Sequence, residues 1–206
     1  IIMALINIRG IKQAAWLQTA ISLTLIGCIF LITSLVIGKA DWSNLVPGFP
    51  EGTNWWHGVF SIVAMAPWAF IGFDCIPQSA EEYNFDHKKS TRIMIFAILI
   101  AALLYIAMCT VTATGLMPWQ ELLAQGHNWE TGFVVRNTFG LFGLVFLGIA
   151  MFCAVISGMN AFYISTSRLM YAMADEGSLP GFFKQLSHKH GTPRNAILFT
   201  MVASLF

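Results

Sequence analysis

The chain has 206 residues, of which 57% are hydrophobic and 10% are charged, and its mean hydropathy is +0.69. A soluble globular domain has about 25% charged residues, so this composition indicates a protein that lies within a lipid bilayer. The formal net charge of +1, without a long basic run, argues against nucleic acid as a partner.

Apolar segments follow one another along the chain, and crossing a bilayer takes about 20 apolar residues. Four complete spans are predicted, with a partial span at each end. They predict an all-α polytopic protein with a single transmembrane domain over 1–206, which we expect to be an internal piece of a longer protein. The predicted spans are about 1–7 (partial), 13–38, 57–80, 93–116, 134–172 and 195–206 (partial).

The basic residues are distributed unevenly between the two sides of this predicted bundle. Cytoplasmic loops carry an excess of Lys and Arg, so the loops at 8–12, 81–92 and 173–194 are predicted to be cytoplasmic in a multi-pass protein of the cell membrane. Lys39 and Arg136 lie on the other side. The cytoplasmic set is Arg9, Lys12, Lys88, Lys89, Arg92, Arg168, Lys184, Lys189 and Arg194.

The predicted span 57–80 is interrupted by residues that an ordinary membrane helix does not favour. Pro67, Gly72, Asp74 and Pro77 fall within eleven residues of one another. Proline removes a backbone donor, and glycine is a weak helix former. Because freed backbone groups at membrane depth need protein or a water-lined cavity around them, a break near 70–73 predicts a binding site.

Metal and redox chemistry receive no support from the sequence. The four cysteines each lie in a different apolar segment without a CxxC pair, which is typical of small buried hydrophobic residues. The histidines lie at segment ends or in loops, and none belongs to an HExxH motif. We therefore expect no metal site, no catalytic residue and no cofactor, apart from a coupling proton or sodium ion.

Three stretches together resemble the amino acid–polyamine–organocation permeases, which have the LeuT-type fold with a 5+5 inverted repeat. NIRGIKQAAWLQ at 7–18 resembles the turn between that family's fourth and fifth helices. WAFIGFD at 68–74, continuing into IPQSAEE, resembles the discontinuous sixth helix near 68–74. SRLMYAMADEGSLPGFF at 167–183, followed by GTPRNA at 191–196, resembles the end of the eighth helix and the approach to the ninth.

The resemblance implies a secondary transporter of amino acids or related amines, which works by alternating access around a site at mid-membrane. The carbonyl groups of Trp68 and Ile71 would receive the substrate's amino group, and the Trp68 ring would gate the site. Phe70 lies in the same expected substrate site, and Gly72 would allow the backbone to unwind. Phe162 corresponds to the position where the eighth helix contributes a side chain to the pocket.

The sequence leaves two alternatives for the ion whose movement is coupled to substrate transport, a proton or sodium. Asp74 matches a position where family members carry an acid, and it is predicted to carry a proton or to cap the inner half-helix. The region ISLTLIGC at 21–28 lacks the lysine that replaces sodium in several members, so a sodium site becomes an alternative. Its candidate ligands, which could equally make hydrogen bonds between helices, are Ser157, Asn160, Ser165 and Thr166.

Two other classes of membrane protein fit the sequence less well. A channel would show a charged ring or a repeated filter sequence along its pore, and neither is present in this chain. An intramembrane enzyme would need a second catalytic group within the spans, and Asp74 is the only ionisable residue deep in any of them. Either alternative would have to place its key residues in helices outside this sequence.

Overall fold

A computed structural model describes residues 1–46, 48–49, 52, 54–73, 75–78, 86–115, 121, 124, 126, 129–187 and 189–205. Within these ranges the protein is helical and contains no strand. Short 3-10 turns lie at Trp42–Leu45 and Gly181–Lys184. The α-helices are α1 (Ile2–Ile8), α2 (Ile11–Ile37), α3 (Trp55–Ala69), α4 (Cys75–Gln78), α5 (His87–Ala113), α6 (Glu130–Asp175) and α7 (Arg194–Ala203).

Three helices in the described part of the chain are long and apolar enough to cross a membrane, namely α2, α5 and α6. The 27 residues of α2 give a length of about 40 Å, which exceeds the roughly 30 Å of a bilayer's hydrocarbon core. Helix α5 begins at His87, before the apolar segment predicted at 93–116, because basic residues continue the helix beyond its apolar part. The all-α polytopic architecture predicted from the sequence is confirmed.

Helix α6 includes the apolar segment predicted as a span over 134–172, and it contains a kink. Its 46 residues would extend for about 69 Å, more than twice the hydrocarbon thickness. Gly140 has φ 63° and ψ −148°, a conformation outside the helical region, so two helices meet at a kink there. The sequence alone does not predict this kink, because an isolated glycine in an apolar run is compatible with a continuous helix.

The C-terminus of α6 has a local cause in the sequence. Gly177 adopts the left-handed conformation with φ +81°, where glycine is the least strained residue. The Gly177 amide donates to the Ala174 carbonyl, and the Ser178 amide donates to the Met173 carbonyl at 2.8 Å. These two bonds form a Schellman motif, which satisfies carbonyl groups that a helix end leaves without partners.

The first of two compact units comprises Ile1–Leu23, Gly72–Phe96 and Cys153–Phe206. Its apolar core joins α1, α6 and α7 through Ala4, Tyr163 and Ile197, all of which are buried. The Thr192 hydroxyl donates to the Ile8 carbonyl oxygen at 3.1 Å, which attaches the connection before α7 to the end of α1. Packing of α1 against α7, two helices far apart in the sequence, therefore organises this unit.

The second unit comprises Thr24–Ile71 and Ala97–Phe152. Its core brings α2, α5 and α6 together, and the connection after α2 is attached to the end of α5. There Asn44 donates from its side chain to the Gly115 carbonyl oxygen at 2.6 Å. The buried side chains of this core are Ile32, Val36, Val111, Val135 and Leu147.

Candidate functional site

The helix that the sequence predicts to be broken is discontinuous in the structure. Asn54 caps the start of α3, with its side-chain oxygen accepting the Trp56 amide at 3.0 Å. Helix α3 ends at Ala69, residues 70–73 form a turn, and α4 begins at Cys75. The discontinuity near 68–74 is therefore confirmed, and it lies where Pro67 and Gly72 predict it.

Two residues explain why the helix stops at this point. Pro67 lies inside the last turn of α3, and because it has no amide hydrogen it cannot donate to the Val63 carbonyl. Gly72 has φ +107°, a backbone conformation that residues with a Cβ adopt only under strain. A Cβ built on Gly72 would have no heavy atom within 4 Å, so the backbone angle alone requires glycine here.

The backbone groups of the turn are paired locally. The Phe70 amide donates to the Pro67 carbonyl at 3.2 Å, and the Ile71 amide donates to the Trp68 carbonyl at 3.4 Å. On the far side, the Cys75 amide donates to the Gly72 carbonyl at 3.1 Å. The end of α3 and the start of α4 are thus each accompanied by hydrogen bonds between residues three positions apart.

The Ala69 carbonyl is paired with a side chain from another helix. Tyr105 of α5 donates from its hydroxyl to the Ala69 oxygen at 2.7 Å, and its ring meets the Phe70 ring edge-on. Tyr105 is not among the site residues predicted from the sequence. A tyrosine within an apolar span was a usable signal, because its hydroxyl needs a hydrogen-bond partner there.

The predicted substrate residues differ in their exposure. Trp68 is 80% exposed and Ile71 is 62% exposed within the described part of the chain. Phe70 is half-buried beside Tyr105. Phe162 lies on α6 in the first unit and is 46% exposed. Exposed aromatic and aliphatic groups at a helix break leave surface that further protein or lipid can cover.

Asp74, the predicted proton carrier, lies outside the described residues. Its neighbours bear on the alternative role of a helix cap. An N-cap side chain receives the amides of the second and third helical residues, which for a helix beginning at Cys75 are Ile76 and Pro77. Pro77 has no amide hydrogen, so a cap at position 74 could satisfy only one of the two usual donors.

The predicted sodium ligands lie on α6, and two of them join a hydrogen-bonded network. Asn160 is fully buried, and its amide nitrogen donates to the Ala14 carbonyl at 3.2 Å and to Gln18 Oε1 at 3.0 Å. Its Oδ1 accepts from Asn7 Nδ2 at 2.8 Å, and Ser157 Oγ accepts from Gln18 Nε2 at 2.6 Å. These contacts are bonds between helices, the alternative that the sequence left open.

Among the described residues, the two remaining sodium candidates show no comparable network. Ser165 is 2% exposed and donates to the Phe162 carbonyl at 3.4 Å, a long bond within its own helix. Thr166 is half-buried on the same helix. Across the described ranges, no group of three or more His, Cys, Asp or Glu residues could hold a metal ion.

Comparison with known proteins gives a consistent result over the whole chain. The family model described as "Amino acid permease" matches residues 1–206. The branched-chain amino acid permease BcaP of Bacillus subtilis (strain 168) is 27% identical over 198 residues, covering 95% of this chain and 41% of the relative. The methylthioribose transporter of the same organism is 29% identical with the same coverage. The arginine/ornithine antiporter of Pseudomonas aeruginosa is 25% identical over 205 residues, covering 95% of this chain and 41% of the relative.

Together with the three long apolar helices, these matches define a multi-pass membrane protein. The chain belongs to the amino acid permease family. It spans about 41% of the length of the bacterial relatives just described. Membership of this family agrees with the expectation that the protein is not an enzyme.

Proposed function

We propose that the protein containing this chain is a secondary active transporter of amino acids or related amines. The observation that carries the proposal is the discontinuity between α3 and α4, where an apolar helix ends at Ala69 and Gly72 holds φ +107°. Broken helices in transporters present backbone groups to substrates near the middle of the membrane. The family match and the relatives' names support the same conclusion.

The C-terminal end of α3 suits a positively charged ligand group. A helix carries a partial negative charge at its C-terminus, where the last carbonyl groups lack amide donors. In our proposal, the carbonyl oxygens of Trp68 and Ile71 accept hydrogen bonds from the substrate's ammonium group. The Trp68 ring acts as the gate, and Phe162 stays the candidate contact for the substrate side chain, with Phe70 and Gly72 shaping the turn.

Uptake by the full-length protein in proteoliposomes tests this proposal. We expect a panel of radiolabelled L-amino acids to include at least one that accumulates against its gradient when a proton or a sodium gradient is imposed separately. Competition by leucine, arginine, a decarboxylated amine and methylthioribose would then define the substrate class. Accumulation of none of these compounds under either gradient would contradict the proposal.

Asp74 is the proposed proton carrier, and Asp74→Asn tests the role. Asparagine resembles a protonated carboxyl group in shape and in hydrogen-bonding reach, so substrate binding should survive. Uptake driven by a proton gradient should be lost, and the dependence of initial uptake rate on external pH should flatten between about pH 5 and 8. An asparagine side chain does not ionise in this pH range, so the variant has no proton to exchange at position 74.

Asparagine caps helices about as well as aspartate, so a purely structural Asp74 would give the opposite result. Identical pH profiles in wild type and Asp74→Asn would reject the proton role and favour sodium coupling or exchange.

In the proposed topology, the protein lies in the cytoplasmic membrane with the loops 8–12, 81–92 and 173–194 on the cytoplasmic side. A membrane-impermeant maleimide should label Lys184→Cys, in a variant without the four native cysteines, only after the cells are permeabilised, and labelling of intact cells would contradict this orientation.

A further inference from the structure

The last carbonyl group of α3 has its partner in a different helix. Tyr105 lies within α5, and its hydroxyl donates to the Ala69 carbonyl oxygen at 2.7 Å. Its ring packs edge-on against Phe70, with centroids 5.5 Å apart and an interplanar angle of 87°. One side chain therefore contacts both residues at which the helix ends, and all three residues belong to the second compact unit.

The hydrogen bond decides which carbonyl groups at the break remain available. Carbonyl oxygens in the last turn lack intrahelical donors, and within a membrane each needs a partner from protein, ligand or water. Among the described residues, Ala69 has a short bond from Tyr105, and the Trp68 oxygen accepts the Ile71 amide at 3.4 Å. Because a bond of that length is weak, the Trp68 oxygen keeps most of its capacity to accept another hydrogen bond.

We propose that Tyr105 is a positioning residue for the substrate's amino group. Its hydroxyl occupies the Ala69 carbonyl, and its ring restrains Phe70, so the turn keeps one arrangement of the neighbouring Trp68 and Ile71 carbonyls. An ammonium group has three donors and no acceptor, so in this proposal it donates to the neighbouring Trp68 and Ile71 carbonyls. This inference rests on the proposed function, since it concerns the amino-group end of the same site.

Tyr105→Phe removes the hydroxyl and keeps the ring that packs against Phe70. Binding of the twenty L-amino acids to the full-length protein in detergent first identifies the tightest ligand. That amino acid and its α-hydroxy analogue are then titrated against both proteins by calorimetry. We expect the variant to bind the amino acid about 3- to 10-fold more weakly, the range for loss of one hydrogen bond, and the analogue less than about twofold more weakly.

Thr110→Val is the matched control, because Thr110 lies on the same helix and its hydroxyl donates only within α5, to the Ile106 carbonyl at 2.8 Å. This variant should bind both ligands as the wild type does. An unchanged amino-acid affinity in Tyr105→Phe would overturn the proposal. An equal loss for the amino acid and its analogue would also overturn it, because a general structural effect does not distinguish an ammonium group from a hydroxyl group.

Hydrogen–deuterium exchange of the amides at 68–73 provides a readout without any ligand. Faster exchange in Tyr105→Phe than in Thr110→Val is expected, because the hydroxyl restrains the end of α3. If the wild type binds no amino acid, the proposed function fails, while the exchange rates still show whether Tyr105 holds the turn. Unchanged exchange together with unchanged binding would reject both parts of the positioning role.

Discussion

Replacing Gly72 by valine is expected to abolish or severely weaken substrate binding, at least about tenfold, which corresponds to about 1.4 kcal/mol. Gly72 has φ +107°, and a β-branched residue in that region is strained by about 1–3 kcal/mol. The chain would relieve this strain by rotating its backbone, which changes the direction of the adjoining Ile71 carbonyl. Equilibrium binding of the transported amino acid to the full-length variant measures the loss.

A pair of alanine variants separates this backbone effect from a general effect of adding a methyl group. Neither Gly72 nor Gly148 would bring a new Cβ within 4 Å of another heavy atom, but only Gly72 has a positive φ. Gly148 lies inside α6, where alanine is favoured over glycine by about 1 kcal/mol. We therefore expect Gly148→Ala to retain binding and Gly72→Ala to weaken it.

Wild-type affinity in both Gly72→Val and Gly72→Ala would contradict the assignment of the break as the substrate site. A loss of folded protein on extraction would be a different result, and it is recognised by size-exclusion chromatography of the purified variant. In that event the test uses Gly72→Ala, which introduces the smaller strain. A substrate affinity lower than that of Gly148→Ala would support the assignment, and an equal affinity would contradict it.

The second large effect is expected on stability, from Asn160→Ala. The Asn160 side chain is fully buried and makes three hydrogen bonds, to the Ala14 carbonyl and to the side chains of Gln18 and Asn7. Bonds between membrane helices contribute about 0.6 kcal/mol each on average, and orphaned buried groups add to the cost. We expect a loss of about 2–4 kcal/mol in the free energy of unfolding, measured by denaturant titration in detergent.

Two further variants provide reference values for the loss of unfolding free energy in Asn160→Ala. Ser157→Ala removes one bond of the same network, the one from Gln18 Nε2 at 2.6 Å, and should cost about 0.5–1.5 kcal/mol. Ser34→Ala removes a hydroxyl that donates to the Phe30 carbonyl within α2, and it should stay within about 0.5 kcal/mol of the wild type. Equal stability of all three variants would show that the network does not hold the helices together.

The same variants test the sodium alternative. A ligand that binds only the folded protein raises its stability according to the ligand concentration. If Asn160 and Ser157 serve only as bonds between helices, added sodium chloride and added choline chloride should shift the unfolding midpoint equally. A sodium-specific shift in the wild type that disappears in Asn160→Ala would instead assign Asn160 to a sodium site.

The position of the helix break could be predicted because its causes are local. Pro67 lacks an amide hydrogen and Gly72 accepts a positive φ, and both properties belong to single residues whatever surrounds them. The end of α6 at Gly177 and the start of α3 at Asn54 have equally local causes. Gly140 shows the limit of this reasoning, since only its observed φ of 63° distinguishes a kink from a tolerated helical glycine.

The partners of polar side chains could not be predicted in the same way. Asn7 and Asn160 are 153 residues apart in the chain, and Tyr105 lies 36 residues from the carbonyl that it binds. Each side chain needs a partner in an apolar environment, but its own residue type does not say which group that partner is. The sequence therefore marked Asn160 as a candidate ligand and passed over Tyr105.

The sequence by itself determined that this protein is built of apolar helices and that one of them is broken near Gly72. Those features follow from residue hydrophobicity and from backbone preferences, which act over a few neighbouring residues. The tertiary structure alone decided which carbonyl at the break is occupied and which amides are joined across helices. Such pairings depend on the packing of distant segments, because a hydrogen bond forms only between groups brought within about 3 Å of each other.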